Sequence, residues 1–153
     1  MTKYDWSQIS SLHLGQYAEY FVKMELTLYG LDIYSSEVDD RGIDFVARTG
    51  SSRYYDFQVK SVRGTNYIFF QKEKFKLRDN LIAAIVIFNE NKTPDLYLIP
   101  SIFWKTPNDL LVSRDYEGKK SRPEWGINIS QKNMRLLEPF GIEKIITMLE
   151  EAS

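Results

Sequence analysis

The chain has no cysteine and a single histidine, His13. The first absence excludes disulfides and thiolate metal sites. The second, joined to the lack of any G-x-S-x-G, excludes a serine hydrolase, and His13 itself falls at a helix start, a capping or surface position. Neither G-x-x-x-x-G-K-[ST] nor G-x-G-x-x-G occurs, so nucleotide-dependent chemistry has no support. No apolar run approaches the roughly 20 residues of a membrane helix. The longest, Leu81–Phe88, has the length of a strand. The opening MTKYDWSQIS lacks the basic-then-apolar order of a signal peptide. A cytoplasmic protein without a membrane partner is expected. Net charge is also scarce, at −1, which argues against an indiscriminate polyanion binder.

What is present suits one domain spanning residues 1–153. The composition is 43% apolar and 14% aromatic, and a compact chain of this size buries roughly 70% of its unfolded surface. The small net charge hides a polarity. Met1 to Asp44 holds eight acids against three bases, and Phe57 to Arg78 holds six bases against Glu73 alone. Such a molecule can hold a cation on one flank and a phosphate backbone on the other, unless these are two unrelated solvated faces.

Residues 1–10 read as a lead-in, with Trp6 and Ile9 tucked onto the body. Ser10 or Ser11 caps a helix from about Leu12 to Tyr29, ended by Gly30. Its apolar stripe is Leu14, Tyr17, Ala18, Phe21, Met24 and Leu28, extended sideways by Val22 and Leu26, with Gly15 permitting close approach. Glu19 stands at the margin of that buried face, and Glu25 falls inside it, snorkelling or paired. Strands follow at Leu31–Val38, Gly42–Arg48, Arg53–Ser61 and, short, Asn66–Phe70. Lys72–Arg78 reads as a basic helical turn. Leu81–Phe88 lacks alternation, the mark of a strand covered on both faces, and Asp95–Ile99 is another. Residues 101–129 break every period, apart from a short strand at Gly126–Ile129. Trp104, Tyr116 and Trp125 there would cover a sheet edge or make a dimer contact. Ser130 caps a segment to Leu137, and Ile142–Glu150 is an amphipathic terminal helix. The order implies an α/β chain with a central mixed sheet flanked by helices.

The informative stretch is Gly42 to Ser61, two arms rich in Val, Ile, Phe and Tyr joined by a Gly-Ser turn, a hairpin signal. Residues two apart in a strand share a face. Asp56, Gln58 and Lys60 therefore share one side, and one register brings Asp44 to the same patch. Carboxylate and amide oxygens suit a hard cation such as Mg²⁺. Asp44 and Gln58 are candidate side-chain ligands, the Val59 carbonyl lies between them, and Lys60 can orient or deprotonate a water. Alternation on a solvated strand produces the same pattern, and Asp56 reads equally as polar filler.

The order helix-Glu, strand-Asp, strand-(acid or amide)-x-Lys resembles the PD-(D/E)XK nuclease superfamily. The first helix looks like that of its small stand-alone members, the archaeal Holliday junction resolvases and related restriction-endonuclease-like proteins. The matching residues are Gly15-x-x-Ala18-Glu19 with Leu26 and Gly30, then Asp40-x-Gly42-Ile43-Asp44, then Gln58-Val59-Lys60-Ser61. The resemblance implies a restriction-endonuclease-like αβββαβ core, a Mg²⁺ (or Mn²⁺) cofactor, and cleavage of DNA or, less often, RNA. It assigns Asp44 and Gln58 to the metal, Lys60 to the water and Glu19 to the metal shell. It also implies a homodimer. Ile43 stands where the family name has proline, and Gln58 where it has an acid, which removes one negative charge from the metal's surroundings. Asp56 is placed to compensate in part, and Asp40 reads as a turn or cap residue. The alternative is a catalytically inactive fold acting as a nucleic-acid-binding or protein-interaction module.

Ser61, Arg63, Lys72, Lys74 and Lys76, with Arg78, form the candidate track for a phosphate backbone, or else a solvated helix face. Beside them Tyr67, Phe69 and Phe70 either stack on bases or pack in the core.

Overall fold

The computed structural model describes residues 2–35, Glu37 and residues 42–152. Asp40 and the end of the expected strand to Val38 lie outside them. After a 3₁₀ turn at Trp6–Gln8, helix α1 runs Ser11–Leu28. The Ser10 hydroxyl accepts a hydrogen bond from the His13 N–H at 3.1 Å, satisfying one of the helix's orphan donors. Past Tyr29 the chain turns at Gly30, whose φ of +89° suits glycine. The buried positions are Leu14, Ala18, Val22 and Leu26, a ridge at four-residue spacing. The expected stripe is thus rotated: Met24 is 59% and Leu28 78% exposed. Gly15 is not a point of close approach either, since a Cβ there would meet nothing within 4 Å.

The strands are β1 (Asp32–Tyr34), β2 (Phe45–Arg48), β3 (Tyr54–Arg63), β4 (Asn66–Gln71), β5 (Leu81–Phe88), β6 (Asp95–Pro100), β7 (Leu111–Arg114) and β8 (Glu124–Ile129). The main sheet has order β1-β2-β3-β5-β6 and is mixed: β3 and β5 are parallel, and the remaining pairs are antiparallel. A second, antiparallel sheet has order β4-β8-β7. The expected α/β architecture stands. Strand β5 is buried along its whole length, as its unbroken apolar run requires.

Register assigns the two faces of the main sheet. Phe45 pairs with Phe57, their rings stacked at 5.1 Å, and Arg63 pairs with Phe88, so Phe45, Phe57 and Phe88 share a face. Helix α1 covers it: the Tyr17 ring lies 6.0 Å from Phe88, and Lys23 Nζ sits 5.5 Å from the Phe45 ring. Gln58 and Lys60 occupy the other face, where Lys60 Nζ lies 5.4 Å from the Phe70 ring of β4. The second sheet therefore approaches the side of the main sheet opposite α1.

The crossover from β3 to β5 differs from expectation. It holds β4 and a turn, and Lys72–Arg78 forms no helix. Phe75 explains this. It is fully buried, stacked 4.2 Å from Phe70 and edge-on to Trp104 at 5.5 Å. Residues 101–129, illegible in sequence, carry a 3₁₀ turn at Ser101–Lys105, β7 and β8. Trp104 is a core residue, its indole N–H donating to the Gly126 carbonyl at 3.0 Å. A 3₁₀ segment (Met134–Phe140) and helix α2 (Ile142–Glu151) close the described chain against β6. Among the described residues no helix is long and apolar enough to cross a membrane.

Candidate functional site

Where the second sheet stands away from β3, a cavity of about 440 Å³ opens. Asp44, Gln58 and Lys60 line it from the main sheet, with Gly42. Phe69, Phe70, Gln71 and Lys74 line it from β4 and the following turn. The hairpin's alternation accounts for the first group. Asp44 is held one step before β2 by its N–H, which donates to the Phe57 carbonyl at 2.9 Å. Its Oδ2 accepts from the Val59 N–H at 2.6 Å, fixing the carboxylate across β3 between Gln58 and Lys60.

Gln58 is the unusual member. Its Oε1 is buried and, among the described residues, has no hydrogen-bond partner. A buried acceptor left unpaired costs about 1–3 kcal/mol, and such an atom invites a donor or a cation. The amide is held from above by Gly42, which has φ +71°; a Cβ there would stand 2.9 Å from both Gln58 Nε2 and the Lys74 carbonyl. Glycine is thus required at this position twice over, by conformation and by space.

Lys60 is the other polarised group. Burial lowers its pKa below the ordinary lysine value, while the Asp44 charge pulls the other way. The Phe70 ring beneath it keeps water from one side.

The remaining sequence candidates lie elsewhere. Glu19 does not line the cavity; it rides on α1 at the opposite face of the main sheet and bonds Lys23 at 3.3 Å. Asp56, a possible source of compensating charge, is taken by Arg78 at 2.7 Å. Arg63 donates to the backbone carbonyls of Trp6 and Ile9, holding the lead-in against β3. Lys72 is bound to Ser113 and Asp115, at 2.6 and 2.8 Å, and lies 3.9 Å over the Trp125 ring. Lys74 reaches the cavity, Lys76 is exposed, and Ser61 is half-buried on β3. Among the described residues no three Asp, Glu, His or Cys side chains gather as a metal cluster. Phe69, Gln71 and Gly42 were not singled out as lining residues by sequence. Alternation on β4 sets Phe69 and Gln71 on one face and Phe70 on the other, so no pattern in the sequence marks all three as lining one cavity.

The cavity fits a hard cation in part. It offers one carboxylate and one amide oxygen that has no partner among the described residues, a donor set of oxygen type, with the partly desolvated Lys60 amine alongside.

No protein-family description and no curated protein matches this chain. Among solved structures it is similar to Archaeoglobus fulgidus Hjc, a Holliday junction resolvase from an archaeal hyperthermophile. Identity is 13%, 87% of this chain and 95% of the other are covered, and the TM-score is 0.56. The fold is therefore restriction-endonuclease-like.

Proposed function

We propose that the chain is a metal-dependent nuclease that hydrolyses phosphodiester bonds of DNA. The observation that supports it is the meeting of Asp44, Gln58 and Lys60 around one cavity on a restriction-endonuclease-like scaffold. Asp44 and the Gln58 Oε1, with the Val59 carbonyl, are the groups that would hold Mg²⁺ or Mn²⁺. A bound cation supplies a more acidic water and offsets charge on the phosphate. Lys60 orients the attacking water from the Phe70 side and places a point charge against the oxygen where negative charge develops. Asp44, pinned by the Val59 N–H, keeps its carboxylate at a fixed distance from that amine. Lys74, at the cavity mouth, meets the adjoining phosphate. A homodimer would present two such cavities to the two strands of a duplex, and sedimentation would reveal it.

The test is cleavage of supercoiled plasmid and of branched DNA with Mg²⁺ or Mn²⁺. Cleavage should vanish with chelator and fall at least about 100-fold in Asp44→Ala and in Lys60→Ala, a loss of the size that follows removal of one charge-stabilising group. Undiminished cutting by both variants would remove the mechanism. A second reading, a non-catalytic nucleic-acid-binding module, is favoured by one observation: a single acidic side chain lines the cavity among the described residues. It predicts DNA binding indifferent to chelator and no cleavage with either metal.

A further inference from the structure

The outward face of the second sheet carries a row of rings that the cleavage chemistry does not use. Tyr67 and Phe69 alternate on β4, and their rings lie 6.2 Å apart at 23°. Phe69 is 43% exposed, whereas Phe70 beside it is 2% exposed and belongs to the core. Core packing therefore claims only one of the two phenylalanines. The Tyr67 ring is held in place from three sides. Its hydroxyl donates to the buried Glu124 carboxylate on β8. The Arg114 guanidinium of β7 lies 4.2 Å from its centroid. Beneath it is Gly126, where a Cβ would stand 2.0 Å from the Tyr67 Oη. Glycine on β8 thus makes the hollow in which an aromatic ring lies flat along the sheet. The row runs from Arg114 through Tyr67 to Phe69, and Phe69 is itself part of the wall of the Asp44–Gln58–Lys60 cavity.

We infer that this row is a stacking shelf for an unpaired base, so that the chain acts on DNA carrying single-stranded nucleotides beside the bond to be cut. The inference rests on the nuclease reading for its position relative to the bond but not for its chemistry. A base needs a flat ring with one face accessible, a fixed partner that does not move on binding, and a positive charge near the backbone. Phe69 supplies the first, Tyr67 with its carboxylate, guanidinium and glycine supports the second, and Lys74 at the cavity mouth supplies the third. The bases of an intact duplex are stacked on one another and cannot reach such a shelf; those of a flap, a gap or a single-stranded arm can.

The experiment is fluorescence anisotropy in chelator, so that binding is read without cleavage. The probes are a labelled blunt duplex, the same duplex with a single-stranded arm, and a single-stranded oligonucleotide. The arm-bearing duplex should bind at least about tenfold more tightly than the blunt one. Phe69→Ala should erase most of that preference, weakening arm binding about tenfold to a hundredfold, the scale of one lost base–ring stack. Phe69→Leu should do the same and Phe69→Trp should preserve it, which separates a ring from mere apolar area. Equal affinity for blunt and arm-bearing DNA, or a preference that survives Phe69→Ala, would overturn the shelf. So would a change in self-association, with no change in DNA affinity, in that variant. Plasmid cleavage in Mg²⁺ is read in parallel. Cleavage without arm preference sinks the shelf alone, and arm preference without cleavage sinks the nuclease reading alone.

Discussion

At the scale of single residues, the balance of charge in the cavity turns on Gln58. Gln58, whose buried Oε1 has no hydrogen-bond partner among the described residues, lines the same cavity as Asp44. Replacing that amide by a carboxylate puts a second negative charge near the first, which favours a divalent cation and opposes the empty site. Gln58→Glu should therefore bind Mn²⁺ at least about tenfold more tightly in calorimetry, in keeping with affinity following the count of charged ligands. It should also melt at a lower temperature than the parent in chelator, where two carboxylates share one cavity with no bound cation between them. A variant with unchanged Mn²⁺ affinity would show that Gln58 lies outside any cation's reach. This position was legible in sequence because alternation on β3 is strict: the Asp44, Gln58 and Lys60 side chains had to share a face once the hairpin was placed. Glu19 was harder, since a helical wheel gives the angle of a side chain about its own axis and says nothing of which sheet face the helix will cover. The Phe45–Phe57–Phe88 face, not the Gln58 face, took α1.

At the scale of elements, Phe75 decides the path of the crossover. A basic segment with one aromatic reads as a surface helix by composition, yet the ring is fully buried between Phe70 and Trp104. Once it is inserted, Lys72, Lys74 and Lys76 are spread over a turn instead of aligned on a helix face. Phe75→Ala should cost about 3–5 kcal/mol in urea unfolding, the usual range for emptying a buried aromatic site. Leu28→Ala on α1 should stay within about 0.5 kcal/mol, because that side chain is in solvent. A comparable loss at both positions would mean that α1 is turned from the orientation described. The two cases show why β5 is legible end to end in the sequence and the segment between β3 and β5 is not. Eight consecutive apolar residues admit few alternatives, whereas one phenylalanine among lysines gains its meaning only from Trp104, a residue far along the chain. The same holds for β8, fixed by pairing with β4 and by Trp104 anchoring Gly126, and for β7, fixed in turn by pairing with β8.

At the scale of the whole molecule, the basic stretch from Phe57 to Arg78 turns out to be much less available than its count suggests. Arg78 is paired with Asp56, and Lys72 with Asp115. Arg63 is held by carbonyls of the lead-in, on the α1 side of the main sheet, away from the cavity. What remains for a phosphate backbone is Lys74 at the cavity mouth, the exposed Lys76, and Lys60 within. Each neutralised duplex phosphate contributes about −0.9 to the slope of log affinity against log salt, so binding here should show a slope of about −2 to −3 where six free cations would give about −5. Lys74→Ala should flatten it by about one unit, and Lys72→Ala, whose charge is already answered by Asp115, should leave it nearly unchanged. A steep slope that Lys72→Ala reduces would mean that the Lys72–Asp115 pair opens on DNA. The acidic N-terminal part of the chain then carries the complementary consequence. With few free cations beside the cavity to hold a duplex by charge, affinity there has to come from the cavity and from the rings next to it, so the preference for arm-bearing over blunt DNA should widen as salt is raised.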